Sequence, residues 1–349
     1  MKENKRSSIK SAKLFTEVCI IAALAISAVY ITAKELRQTK DVSRPPIVDS
    51  FSEIELEATT EAIDMNKIIF EGLEVSTKDK FKGDLILVNN DTQYFTGDEE
   101  LVSLNQQLNE DGITSFVAND NTLKVRKEIC VPLENLLDEF KAQKGISDIV
   151  IISGFRTQEK QQQLYDDDLA KTGKDYSELV AKPGYSEHQT GFAVDLTTST
   201  TWDYDGQGDY KWIDENCWKY GFILRYPENK TDVTQIRYEP WHYRYVGRPH
   251  AYYMYMNKIC MEEYIEKLRS YPYDGEHLVF TDDMGEKYEV YFVKSDDGNE
   301  TTFVPVPVNA SYSISGNNVD GFIVTLYTSQ KTAIPGMEAT ESTTAQTAE

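Results

Sequence analysis

Two short segments hold most of the side chains that could do chemistry. The first is Ser186-Glu187-His188-Gln189-Thr190-Gly191-Phe192-Ala193-Val194-Asp195; the second, Glu239-Pro240-Trp241-His242-Tyr243-Arg244-Tyr245-Val246-Gly247, begins 44 residues after Asp195. Together they contain two of the four histidines of a 349-residue chain. Two imidazoles and one carboxylate, here His188, His242 and Asp195, are a donor set that zinc accepts, with a fourth position left for the water that hydrolysis needs. Bound water has its pKa lowered to about 7. An acid that is not a ligand must then take the proton, and Glu239 is close enough in sequence to His242 for that task. Residue types alone leave the alternative open that each histidine is an ordinary polar or core residue.

The flanking residues speak for the metal. Both segments resemble the zinc D-alanyl-D-alanine carboxypeptidases of the VanY type, whose pattern S-x-H-x-x-G-x-A-x-D followed by E-x-W-H-x-R-Y-V-G is matched without gap or substitution. The family's upstream S-G-[YF]-R-[ST] is present as Ser153-Gly154-Phe155-Arg156-Thr157, with Gln161 and Leu164-Tyr165 beyond it, and its early Leu-Ile-Leu-Val-Asn spans Leu85 to Asn89. The resemblance covers residues 63 to 250 or so, in the family's order. It implies that His188, Asp195 and His242 bind Zn2+, that Glu239 is the general base and later the acid, and that Arg156 meets the substrate. A planar guanidinium suits a peptide's terminal carboxylate or a developing oxyanion; otherwise Arg156 is a surface cation on a strand-to-helix turn. Ser186 and Gln161 match positions near the bound peptide and could equally be a turn hydroxyl and a supporting amide. Trp241 and Tyr245 are expected to wall the cleft, although packing alone would account for aromatic residues there. Gly191 reads as backbone room beside the metal loop. The implied reaction is release of the C-terminal D-alanine from peptidoglycan stem peptides. The alternatives are an L,D-carboxypeptidase or endopeptidase acting on tetrapeptide stems, or, in another class, a non-catalytic wall-binding protein of the same fold.

The elements that position these residues follow from apolar spacing. Ile129, Leu133, Leu136, Leu137 and Phe140 recur at helical intervals, and Asp148 to Ile152 is a continuous apolar strand. Residues 157–171 read as a helix, Ala193 to Leu196 as a short strand, Gly221 as a helix end and 249–270 as a final helix. Ile68 to Phe70 and Leu85 to Val88 read as strands, the second closed by a turn at Asn89-Asn90-Asp91. The fold class is α+β: a small antiparallel sheet with flanking helices carrying the zinc site, VanY/hedgehog-like, over residues 62–271. Beyond it, β-branched and aromatic runs separated by Asp, Gly and Asn predict a small β module at 275–329, and Thr, Ala and Glu predict a disordered tail at 330–349.

Charge and hydropathy place the rest. The formal charge is -22, with 36 Lys plus Arg against 58 Asp plus Glu, which excludes a partner bound by phosphate neutralisation, so no nucleic acid is expected. Residues 1–13 carry five cations against one acid and form a basic tip, which leaves -26 for the remainder. Residues 14–33 are apolar with one charge, Glu17, long enough for a transmembrane signal-anchor with the N-terminus in the cytoplasm. Residues 34–61 then form a stalk, and the catalytic domain faces the outside of the cell membrane. Cys130, Cys217 and Cys260 are too few for a disulfide framework; they read as buried small residues, with one disulfide still open. Asp203, Asp205 and Asp209 lack the glycine and terminal glutamate of a calcium loop and read as a solvated acidic stretch. His250 and His277, outside the motifs, are expected on the surface.

Overall fold

The computed structural model describes residues 68–328 apart from 96, 98, 99 and 178. The expected basic tip, anchor, stalk and tail lie outside these residues. Among the described residues no helix is long and apolar enough to cross a membrane.

In chain order the elements are β1 (Phe70–Ser76), β2 (Leu101–Ser103), α1 (Leu104–Asp111), β3 (Phe116–Ala118), β4 (Lys124–Arg126), α2 (Cys130–Lys144), β5 (Ile149–Ser153), α3 (Gln158–Thr172), β6 (Ala193–Thr198), α4 (Lys211–Asn216), β7 (Phe222–Leu224), α5 (Thr231–Thr234), β8 (His242–Tyr245), α6 (Arg248–Asn257), α7 (Met261–Leu268), β9 (Leu278–Thr281), β10 (Lys287–Lys294), β11 (Thr301–Pro307), β12 (Ser311–Gly316) and β13 (Gly321–Tyr327). The central sheet has the order β3-β5-β6-β8-β7. It is mixed rather than wholly antiparallel, because β3 runs parallel to β5 while the other neighbours are antiparallel. The mixed α+β class stands. Helix α2 lays Leu133, Leu136, Leu137 and Phe140 in one core with Ile149 and Ile151 of β5, the face that the helical spacing predicted. Gly145 in the left-handed conformation ends α2, and the Thr157 hydroxyl accepts from the Lys160 amide to start α3.

Three further expectations about the elements change. Leu85 to Val88 are all buried but form no strand; their polar backbone is satisfied piecemeal. The Leu85 amide donates to the Ser315 hydroxyl, the Leu87 amide to the Asn317 carbonyl, and the carbonyls of Asp84 and Ile86 accept from the Arg244 guanidinium. Side chains thus replace a neighbouring strand. The single final helix is two, α6 and α7. Lys258, at φ 56°, closes the first, and the Cys260 amide donates to the Glu263 carboxylate to begin the second. Finally, the proposed boundary between 62–271 and 275–329 does not divide the packing. Leu85, Leu87, Trp218, Ile223, Met254 and Ile265 share a hydrophobic cluster with Leu278, Val290, Phe292 and Ile323. The C-terminal sheet has the order β12-β13-β10-β9 and does not include β11, which pairs instead with β1.

Cys130, Cys217 and Cys260 are buried and free. The surface expectation fails for His250, which is buried and hydrogen-bonded through both ring nitrogens, to the Tyr264 hydroxyl at 2.8 Å and Thr325 Oγ1 at 3.2 Å. His277 is partly buried between the Glu289 carboxylate and the Tyr273 carbonyl.

Candidate active site

The sheet register builds the site. Ser153 on β5, Asp195 on β6 and His242 on β8 lie directly opposite one another across three strands, so their side chains share one face. Ser153 reaches that row through a register shift between Ile151 and Ser153, which leaves Ile152 as the extra, exposed residue. His188 comes from the single turn Glu187–Thr190 that precedes β6, closed by Gly191 at φ 74°. A side chain on Gly191 would come within 2.9 Å of Arg126 and 3.0 Å of Leu101. The room expected beside the metal loop is therefore already filled from behind, and only glycine fits.

The two imidazoles present different nitrogens. His188 Nδ1 donates to the Gly154 carbonyl at 2.8 Å, which leaves Nε2 facing Asp195 Oδ2 at 3.1 Å. His242 Nε2 lies 3.3 Å from Glu187 Oε2, and its Nδ1 faces Asp195 Oδ1 at 3.0 Å. Each ring thus has its outer nitrogen tied to an acceptor and its inner nitrogen aimed at the shared carboxylate, the arrangement that fixes the tautomer of a metal ligand. Among the described residues this trio forms the one group whose potential donor atoms all lie within 4.8 Å of one another. The donor chemistry fits a zinc ion, whose ligands sit about 2.0–2.2 Å from it.

Glu187, to which the motifs assign no role, is a further residue of the site. It is buried, and its Oε1 accepts from Arg225 Nε at 2.7 Å and Arg244 Nη1 at 2.9 Å, while Oε2 meets His242. Burial alone would push its carboxyl up, but the two guanidiniums and His242 outweigh it and hold Glu187 ionised, well below the usual carboxylate range. Arg225 in turn forms a forked pair with Glu262. The signal in the sequence was an acid beside a candidate ligand; nothing in the spacing pointed to Arg225. Tyr226, whose ring centre is 4.9 Å from that of His242, is a second wall residue that the motifs did not flag.

The other expected residues are mostly brought together. A cavity of about 520 Å³ is lined by Arg156, Gln161, Ser186, His188, Asp195, Glu239, Trp241 and His242, among others. Glu239 Oε2 is 4.0 Å from His242 Nδ1. Burial and the nearby Asp195 raise its carboxyl above the ordinary glutamate value, against the opposing charges of His242, Arg237 and Arg156. Arg156 donates to Gln161 Oε1 at 2.8 Å and Ser153 Oγ at 3.0 Å. Gln161 is fully buried and its amide donates to the Ala181 carbonyl, so it fixes the guanidinium more than it offers groups to a ligand. Trp241 borders the cavity, but Tyr245 does not wall it. It is 8% exposed and packs in the core, edge-on to Phe222 and stacked on Phe192, because it lies at the far end of β8 from His242.

Comparison with known proteins agrees with this geometry. The family model for VanY, D-alanyl-D-alanine carboxypeptidase, matches residues 122–248. A D-alanyl-D-alanine carboxypeptidase of Enterococcus faecium is 36% identical over 255 residues, which is 72% of this chain and 78% of that protein. VanXYC of Enterococcus gallinarum, a bifunctional D-Ala-D-Ala dipeptidase and D-Ala-D-Ala carboxypeptidase, is 35% identical over 158 residues, 43% of this chain and 82% of that one. Among solved structures, the vancomycin-resistance D,D-dipeptidase VanXYg, in complex with a D-Ala-D-Ala phosphinate analogue, is similar with a TM-score of 0.65 and 30% identity, over 74% of this chain and 99% of that one. With its motifs, its site geometry and this coverage, the chain belongs to the VanY-type family of D-alanyl-D-alanine carboxypeptidases.

Proposed function

We propose that this protein is a zinc-dependent carboxypeptidase that releases the C-terminal D-alanine of peptidoglycan stem peptides on the outer face of the cell membrane. The observation that carries the reading is the convergence of His188 Nε2 and His242 Nδ1 on Asp195, with Glu239 beside them in the same cavity. His188, Asp195 and His242 would hold the metal. When bound, zinc supplies a Lewis acid and a water that is deprotonated near neutral pH.

The chain's own groups do the rest. The Glu239 carboxylate takes the proton of the attacking water and returns it to the departing amine; its raised basicity, caused by burial, suits both transfers. Arg156 offers a fixed cation to the substrate's carboxylate or to oxygen charge developing at the scissile carbonyl. Glu187 holds the outer nitrogen of His242, so that the inner one stays available. Anchoring by residues 14–33 is supported by their apolar length and by the preceding basic residues, and it would keep the enzyme next to its polymer.

The test is a comparison of pentapeptide and tetrapeptide stems incubated with purified protein, with products weighed by mass spectrometry. Loss of a single alanine from the pentapeptide alone is expected. Cleavage of the tetrapeptide instead would reassign the enzyme as an L,D-carboxypeptidase, and internal cleavage would make it an endopeptidase.

A further inference from the structure

The cavity contains a second arginine that its motifs do not assign. Arg237 lines the wall formed by Gln235, Ile236, Glu239 and Trp241. It is exposed, and its guanidinium lies over the Trp241 ring, 5.8 Å from the centroid. Among the described residues it makes no hydrogen bond and no ion pair within 4 Å; the anion that feels its charge is Glu239, whose carboxyl pKa it lowers from a longer distance. Arg225, Arg244, Arg248 and Arg269 each pair with a carboxylate, and Arg156 is held by Ser153 and Gln161. In a chain of charge -22 acids are plentiful, yet Arg237 keeps its donor fork free. The residue two before it is tied to the 90–91 turn: the Asn90 amide donates to the Gln235 carbonyl at 3.4 Å and the Gln235 amide to the Asp91 carboxylate at 3.3 Å. Stacking on an indole lowers the ordering cost of using such a guanidinium.

We propose that Arg237 binds a free carboxylate on the acyl side of the scissile bond, and so selects stem peptides by charge. The inference rests on the peptidase reading above. The leaving alanine has one carboxylate, for which Arg156 on the β5–α3 wall is available. Any further carboxylate of a stem peptide lies upstream of the bond that breaks. It is either the α-carboxylate of the γ-linked glutamate or the side-chain carboxylate of a diamino-dicarboxylic acid at the third position. Amidation abolishes either one.

The experiment uses pentapeptides in matched pairs: glutamate against isoglutamine in a lysine-containing stem, and free against amidated diaminopimelate. Alanine release is followed for the full-length protein, Arg237→Ala and Arg237→Lys. For the wild type, kcat/KM should favour the free carboxylate in one pair by roughly fivefold to tenfold, carried mainly by KM. That pair identifies the carboxylate bound. Arg237→Ala should bring the ratio close to one, and Arg237→Lys should restore part of it. Equal turnover of free and amidated peptides by the wild type would overturn the proposal. So would a drop in kcat common to all peptides in Arg237→Ala with a displaced acid limb of the pH profile, since Arg237 would then act through Glu239. Absence of alanine release from every peptide would overturn the peptidase reading itself.

Discussion

His242 and His250 are each 4% exposed, eight positions apart in sequence, and their surroundings give them opposite character. The ring nitrogens of His242 face the carboxylates of Asp195 and Glu187. Those of His250 face two hydroxyls, of Tyr264 and Thr325. Burial presses both imidazoles toward the neutral form. For His242 the hydrogen bonds and charges of the two carboxylates prevail and carry its pKa up to about 9, whereas nothing opposes burial at His250, whose pKa falls to about 3. A buried histidine is therefore not a functional one by virtue of burial. What marks His242 is a pair of anions, one shared with His188 and the other, Glu187, kept ionised by two arginines.

The largest effect should follow from removing the second anion. Glu187→Ala leaves Arg225 and Arg244, both fully buried, without their common partner, and breaking such a buried pair typically costs about 3–5 kcal/mol. Urea denaturation should register that loss, and zinc titration should show affinity reduced by roughly 10–100-fold as His242 loses its outer restraint. A change below about 1 kcal/mol would mean that the network is not what distinguishes His242. A smaller effect is expected at His250. Its folded pKa lies below the unfolded value of 6.5, so its contribution to stability is complete above that value and falls as the pH drops toward about 3. At about 1.4 kcal/mol per pH unit, acidification from pH 6.5 to 5 should remove about 2 kcal/mol through this group. His250→Gln should flatten the dependence by that amount; parallel curves would break the contrast. In metal-free protein His242 has the opposite sign, with its contribution complete below 6.5 and lost as the pH rises through about 9.

The sequence was most legible where one segment carries both a structural period and a chemical motif. Asp195 and His242 stand out as candidates from their strings, and the register of β6 with β8 sets them side by side. Helix α2 was readable because Leu133, Leu136, Leu137 and Phe140 keep one face. What escaped depends on partners remote in sequence. Glu187 acquires its meaning from Arg225, 38 positions later, and from Arg244. Leu85 to Val88 have the composition of a strand, but their backbone partners are an arginine and residues near position 316 rather than a neighbouring strand. Tyr245 shares the motif of His242 and ends in the core, since its strand leaves the cavity within three residues. The C-terminal sheet looked separable because its composition changes near Tyr271, whereas packing follows Leu278, Val290 and Phe292 into the core of the preceding helices.

The central claim is that His188, Asp195 and His242 hold zinc while Glu239 moves the proton without being a ligand. Glu239→Ala tests it directly when alanine release from a pentapeptide stem and zinc content are measured on the same preparation. About one zinc per chain should remain, as three ligands are untouched, while release falls by roughly 10²–10⁴-fold. Undiminished release, or loss of the metal together with the activity, would contradict the account.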